Sequence, residues 1–380
     1  MTTPSGAAIH GVSTMRPAAL SDLEELLRIE KAAFVSDRIS RRSFRRFLES
    51  NASAILVADT GAGLSGYVLL LLRRGTALAR LYSIAVDPQR QGMGIGKVLI
   101  EAAESFAFEA DRIVLRLEVR TDNTAARSLY VARGYRDCGH VAGYYEDGCD
   151  AIRMQKLLHG AHLGTGRAPY YSQTTEFTCG PACTMMALAH FGSSEPLETL
   201  TELTLWREAT TIFLASGHGG CGPFGIANAL ARRGLAVEVR LQPDDLLFLN
   251  SVRDPEKRQV LALVQEGYRA EAEKLGVRRS DAPLAAAELA GLLAQGALII
   301  VLISGYRMFG KKEPHWVLVH DADARHLIVH DPWLEHEQDE SPADAANLPI
   351  PFAEFDLMAR WGRTNVRAQI VIRKEPHSNA

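Results

Sequence analysis

Cys179 opens the run Cys179-Gly180-Pro181-Ala182-Cys183, with Gln173 a short distance upstream. Gly180 and Pro181 suit the first turn of a helix, where proline forfeits no needed hydrogen bond. A thiol at a helix start meets the positive end of the helix dipole, which favours the thiolate, its reactive form. Met185, Met186, Leu188 and Ala189 follow, so the helix can be buried while Cys179 is expected to stay at its exposed tip. A nucleophilic thiol needs a base, and the base needs an orienting group. The stretches His315–His320 and His326–Trp333, joined by Asp321–Arg325, read as a hairpin. If His320 faces His326, then His315 faces Asp331 on one side of the sheet, an imidazole beside a carboxylate. Alternation sends His320, His326 and His330 to the other face, which is expected to be polar and solvated. Those three histidines suggest zinc, but no fourth ligand is evident, and no metal is expected. Cys183, one turn deeper, is expected to pack as a small hydrophobe. Cys221 starts a second Cys-Gly-Pro run but lacks an upstream glutamine at matching distance.

A second chemistry lies in the first half. Gln91-Gly92-Met93-Gly94-Ile95-Gly96 sits between an expected strand and an expected helix. Backbone N–H groups left bare by glycine at a helix N-terminus can surround a phosphate. Three glycines alone are equally compatible with a tight strand-to-helix turn.

The surrounding residues resemble the GNAT acetyltransferase superfamily. Its acetyl-CoA signature, Gln/Arg-x-x-Gly-x-Gly/Ala, is met by Gln91, Gly94 and Gly96. Downstream, Leu117-Glu118-Val119-Arg120-Thr121-Asp122-Asn123, Leu129-Tyr130, Gly134-Tyr135 and Tyr144-Tyr145 resemble the RimI-type ribosomal-protein N-terminal acetyltransferases. The resemblance implies acetyl-CoA as co-substrate. Strand residues Ile84, Ala85 and Val86 would meet the pantetheine arm. Gln91, Gly92, Met93, Gly94, Ile95 and Gly96 would hold the pyrophosphate, with Asn123 helping. Glu118 is then the implied base and Tyr130 the implied acid, one taking a proton from the amine and the other protonating the leaving thiolate. The implied acceptor is a peptide or protein N-terminal amine. The second half resembles the C39 peptidases of the papain-like group. That resemblance implies Cys179 as nucleophile, His315 as general base and acid, Asp331 as orienting residue and Gln173 as oxyanion donor. A neutral amide N–H suits that last role, because it does not compete for the proton. Thr178 departs from the acidic residue that leader peptidases carry before the cysteine. Hydrolysis, transfer to another amine, and peptide binding without turnover all stay open for this half.

The elements that must position these residues fall into two sets. Residues 12–158 are expected to form an α/β GNAT domain, a mixed central sheet flanked by helices. Its helices are expected at Ser21–Phe34, with a Ser21/Glu24 capping box, and at Ser36–Ser50, Gly96–Ala110 and Ala125–Arg133. Strands are expected at 53–58, 65–73, Leu81–Val86 and Ile113–Val119, and 135–157 as a closing hairpin. The arginines of Ser36–Ser50 read as a solvated helix face rather than an RNA patch, since Phe44 and Phe47 define its inner stripe. The glycine-punctuated stretch His159–Ala168 marks a boundary. Residues 168–376 are expected to form an α+β papain-like domain, helices first and sheet afterwards. Its long charged segment Asp244–Asp281 is a candidate lid. A net charge of -3 gives no general reason to expect nucleic acid. The N-terminus does not read as a secretory signal, and apolar runs such as Leu292–Ile303 are too short to span a bilayer. Five scattered cysteines suit a reducing compartment, so a cytoplasmic enzyme is expected.

Overall fold

The computed structural model describes residues 14–158, 168–212, 219–242, 246, 247, 249, 252, 254–334 and 342–374. The chain divides into two compact units, Met1–Ala161 and His162–Ala380. The stretch at 159–167 lies outside the described residues, as does part of 243–253.

The first unit runs β1 (Thr14–Pro17), α1 (Leu23–Ala33), α2 (Arg41–Glu49), β2 (Ser53–Asp59), β3 (Leu64–Leu72), β4 (Leu78–Val86), α3 (Ile95–Glu109), β5 (Val114–Arg120), α4 (Thr124–Ala132), β6 (Arg136–Val141) and β7 (Ala151–Leu157). One sheet orders them β1-β2-β3-β4-β5-β7-β6, and only β4–β5 is parallel. Both faces are covered, which is why β2 and β3 read as nearly continuous apolar runs. Leu56, Ala58, Val68 and Leu70 pack with Leu99 and Ile100 of α3 on one face. Val57, Tyr67 and Leu69 pack with Leu26 and Ile29 of α1 and Phe44 and Phe47 of α2 on the other. The entry to α1 differs from expectation. A 3-10 turn, Leu20–Asp22, precedes it, and Asp22 Oδ2 accepts the Ala19 N–H at 2.8 Å and an Arg16 N–H at 2.7 Å. Ser21 is therefore not the cap, and Glu24 pairs with Arg41 instead. α2 begins later than expected, capped by Ser40, whose Oγ accepts the Ser43 N–H at 3.1 Å.

The second unit runs α5 (Cys179–His190), α6 (Thr199–Ala209), β8 (Thr210–Ile212), β9 (Gly220–Cys221), α7 (Pro223–Ala231), β10 (Leu235–Gln242), α8 (Pro255–Lys274), β11 (Arg278–Ser280), α9 (Ala286–Ala294), β12 (Leu298–Ser304), α10 (Tyr306–Phe309), β13 (Pro314–Ala322), β14 (His326–His330), α11 (Pro342–Ala345), β15 (Leu348–Pro351), α12 (Phe352–Met358) and β16 (Arg367–Lys374). Its main sheet is β11-β10-β16-β12-β13-β14-β15, antiparallel except at β10–β11. Met186 of α5 and Ile226 and Leu230 of α7 share a core with Ile300, Leu302, Trp316 and Ile370 of the sheet. α5 is buried from Cys179 to Leu188, so it is a central helix rather than an amphipathic one.

Three expectations change here. Leu318 pairs with His330 rather than Ile328, and His320 is the extra residue of a bulge. The shift before the bulge is two residues, so each side chain keeps its face. The face carrying His320 and His330 is not solvated. Both are 1% exposed, their rings lie 4.1 Å apart, and β15 pairs along β14. His330 Nε2 donates to Ala168 O at 2.9 Å, and its Nδ1 accepts the Asn347 N–H at 3.1 Å. The described part of Asp244–Asp281 is built into the body instead of forming a lid. Asn228 on α7 donates to Tyr268 O at 3.0 Å, and the Tyr268 hydroxyl donates to Glu208 O at 2.8 Å.

Candidate active sites

Cys179 is the first residue of α5, but it is buried rather than at an exposed tip, because Cys221, Ile226 and Trp316 pack around the start of the helix. Gly180 lets it sit there. A Cβ at position 180 would lie 3.0 Å from Ile226 Cδ1 and 3.2 Å from Cys221 Cβ. β13 brings His315 to the thiol, and the end of β14 brings Asp331 to His315. His315 Nε2 lies 2.7 Å from Asp331 Oδ1, diagonally across the hairpin end rather than across a rung. That bond leaves Nδ1 for Cys179, with which the imidazole interacts. Asp331 is fully buried. Its Oδ1 also accepts the Trp333 N–H at 3.0 Å, and its carbonyl accepts the Tyr170 hydroxyl at 2.9 Å. Burial opposes charge on His315, but the Asp331 carboxylate and Cys179 outweigh it and raise the imidazole to about 10.

Gln173 is held at its backbone, whose N–H donates to Pro332 O at 2.8 Å. One side-chain N–H donates to Thr175 O at 2.7 Å, which leaves Nε2 its second hydrogen for an oxyanion. Sequence reasoning missed Glu202 on α6, a buried carboxylate that accepts Thr174 N–H at 2.9 Å, Thr174 Oγ1 at 2.6 Å and the Tyr171 hydroxyl at 2.9 Å. It also accepts the Thr178 hydroxyl. The other two cysteines of this unit are poor nucleophiles. Burial pushes the thiols of Cys183 and Cys221 far up, and the Cys221 carbonyl accepts the Trp316 indole N–H at 3.0 Å.

In the first unit, β4 and β5 pair only from Leu78 to Leu81 against Val114 to Leu117. An irregularity at Tyr82, opposite the Leu69–Leu70 step of β3, follows, and Ile84, Ala85 and Val86 run on without β5 beside them. A slot therefore opens between two parallel strands, with Glu118 on its far side. Gln91 to Gly94 lie exposed between β4 and α3. Gly92 and Gly94 both have φ of +79°, and a Cβ on either would meet nothing within 4 Å. The left-handed turns aim backbone toward solvent at the start of a 15-residue helix, where Ile95 and Gly96 form the first turn. This geometry fits a pyrophosphate. Asn123 caps α4, its Oδ1 accepting the Ala126 N–H at 3.0 Å, so only its amide N–H remains for a cofactor. Tyr130 is buried edge-on to Tyr135, with centroids 5.6 Å apart. Burial pushes its phenol well up, so it stays protonated at neutral pH.

Glu118 needs a correction. It is not a free carboxylate, since Arg80 Nε and Arg153 Nε each donate to it at 3.0 Å. Burial alone would push its carboxyl up, but the two guanidiniums outweigh burial and hold it below the usual range. A carboxylate so held is a weak proton acceptor. Arg80 also donates to the Tyr144 hydroxyl at 2.6 Å, linking Glu118 to the β6–β7 hairpin. Among the described residues, no group of three or more His, Cys, Asp or Glu is arranged to hold a metal ion, and no helix is long and apolar enough to cross a membrane.

A GNAT acetyltransferase domain joined to a thiol-peptidase-like domain is the class that these two sites define. The chain belongs to the Peptidase_C39 like family, whose model matches residues 168–373, and residues 15–158 match the acetyltransferase (GNAT) domain. Its first unit is similar to the N-alpha-acetyltransferase RimI of Mycobacterium tuberculosis, 34% identical over 140 residues, 36% of this chain and 87% of that protein. It is also similar to an uncharacterized N-acetyltransferase of Methanocaldococcus jannaschii, 33% identical over 37% of this chain and 90% of the other. The ribosomal-protein-S18-alanine N-acetyltransferase of Escherichia coli aligns over 40% of this chain and 98% of its own, at 26% identity and a TM-score of 0.37. The first unit is thus an N-acetyltransferase with acetyl-CoA as co-substrate.

Proposed function

We propose that the protein acetylates the N-terminal amine of a peptide or protein and, at its second site, cleaves a peptide bond through Cys179. Acetyl-CoA supplies the acetyl group as a thioester. The bare backbone at Gly92–Gly96 binds its pyrophosphate, and the free edge of Ile84–Val86 orients its arm. Tyr130, kept neutral by burial, provides the proton that the leaving sulfur requires. Glu118, clamped by Arg80 and Arg153, orients the acceptor rather than storing its proton, which leaves through water. The likeness to N-alpha-acetyltransferases supports an N-terminal amine as acceptor. The expected result for Tyr130→Phe is a kcat lowered about tenfold to a hundredfold, with the KM for acetyl-CoA nearly unchanged. An unchanged kcat in a steady-state assay on N-terminal peptides removes Tyr130 from the reaction.

In the second reaction Cys179 Sγ attacks the scissile carbonyl carbon, and the protonated His315 gives its proton to the departing amine. Water, deprotonated by His315, then attacks the thioester and frees Cys179. The observation that carries this reading is the His315–Asp331 pair beside a thiol at a helix start. The test is the pH dependence of iodoacetamide labelling at each cysteine, read by peptide mass spectrometry, in wild type and His315→Ala. Rapid labelling of Cys179 well below pH 8, slowed by the substitution, is expected. Slow labelling indifferent to His315 would sink the thiol mechanism. Five unpaired thiols support a cytoplasmic setting. Fusion raises the effective concentration of a shared peptide, so both reactions are assigned to one substrate. A peptide that gains an acetyl group and is also cut supports this; separate substrates for the two sites refute it.

A further inference from the structure

The thiol mechanism leaves unused one buried carboxylate that touches the loop before Cys179. Glu202 has 0% exposure, and the four donors described above, all from residues 171–178, converge on its two oxygens. Burying a carboxylate is costly unless such donors satisfy it. Where the bonds land is informative. Thr174, held by both its N–H and its hydroxyl, lies between Gln173 and Thr175, the two ends of the 2.7 Å side-chain bond that sets the Gln173 amide. Thr178 directly precedes Cys179, and its hydroxyl also reaches Thr175 O at 3.1 Å. On the opposite side the loop is tied to the strand end that carries Asp331, through Gln173 N–H to Pro332 O and the Tyr170 hydroxyl to Asp331 O. The carboxylate thus grips the neighbour of each group that faces a developing oxyanion, the Gln173 amide and the start of α5. It is not among the groups that raise the His315 imidazole.

We propose that Glu202 is a positioning residue for the oxyanion site of the second unit, acting through Thr174 and Thr178. This rests on the thiol reading above. Donors misplaced by a fraction of a bond length lose much of their effect on a transition state.

Two small probes on the full-length chain, both read at Cys179 by peptide mass spectrometry, test this. Iodoacetamide is attacked at carbon by Sγ and loses iodide, and no oxyanion forms. p-Nitrophenyl acetate is attacked at its carbonyl carbon, and the π pair moves onto oxygen as an oxyanion. Collapse then breaks the bond to p-nitrophenolate and leaves a thioester on Sγ. In Glu202→Gln, acylation is expected to fall about tenfold or more while alkylation stays within about twofold. Thr178→Val should shift the same ratio, and Thr178→Ser should restore it. That pair carries the test if Glu202→Gln does not fold. Unchanged acylation in the variants, or a parallel loss of both rates with no rescue by serine, overturns the proposal. His315→Ala separates the two ways of failing. Alkylation indifferent to His315 overturns the thiol reading and this proposal with it. Alkylation that depends on His315, with acylation indifferent to Glu202 and Thr178, overturns this proposal alone.

Discussion

Asp331 and Glu118 are both buried carboxylates beside cations, and they act in opposite senses on the chemistry around them. Asp331 accepts from His315 and raises it, so it keeps the imidazole charged next to a thiol. Asp331→Asn keeps the shape and removes the charge. Labelling of Cys179 at pH 6 should then slow about tenfold, because the imidazole loses the carboxylate that favours its charged form. An unchanged rate would reduce Asp331 to packing. Cys183 and Cys221, pushed up by burial, should resist labelling in the native protein and react only after unfolding. Glu118 is itself held down by Arg80 and Arg153. A group whose folded value lies below its unfolded one, here 4.5, contributes stability above that pH and loses it as pH falls through the folded value. The gap in thermal midpoint between wild type and Glu118→Gln should therefore be largest near pH 7 and close on acidification below 4.5. A constant gap would mean that the ion pairs do not set it.

At the scale of elements, the strand–loop–helix unit β4–α3 was legible because the Gln91, Gly94 and Gly96 spacing stands with the downstream residues that share the same resemblance, whereas the glycines alone would fit any tight turn. Gly94 caps α3 in a left-handed conformation that side chains disfavour by about 1 kcal/mol. Gly94→Ala should lower the thermal midpoint slightly and raise the Kd for acetyl-CoA about tenfold by calorimetry. A native Kd would mean that the loop does not hold the pyrophosphate. The hairpin β13–β14 was legible as a hairpin but not in register, because nothing in Asp321–Arg325 announces that His320 bulges out. The His315–Asp331 pairing survives because the shift is even and a diagonal neighbour on the same face is within reach. α6 was not legible. Thr199-Leu200-Thr201-Glu202-Leu203-Thr204-Leu205 spaces its leucines by three and then by two, so neither the helix nor the strand period holds, and it is rich in β-branched threonine. Its helical state comes from packing of Leu205 and Ala209 into the core.

For the whole molecule, two units with separate cores carry the two sites. Cys179→Ala should leave N-terminal acetylation within about twofold of wild type, and Tyr130→Phe should leave the labelling rate of Cys179 untouched. Loss of one activity on removal of the other's reactive group would mean that the two reactions are coupled in sequence.

The order of apolar and polar residues, by itself, determined two α/β-containing units, the glycine loop at 92–96 and the helix with Cys179 at its tip. These depend on local periodicity and on backbone freedom, which neighbours in sequence supply. Tertiary structure alone decided what each charged group meets. Glu118 looked like a free base until β4 and β7 set Arg80 and Arg153 against it. His320 and His330 looked solvated until the fold buried them, with His330 bonded to Ala168 and Asn347 and packed against Tyr170. Glu202 had no visible role until α6 carried it to a loop that precedes it in the chain by more than twenty residues. Burial and charge pairing arise between segments far apart in sequence, and a carboxylate's chemistry depends on those partners more than on its identity.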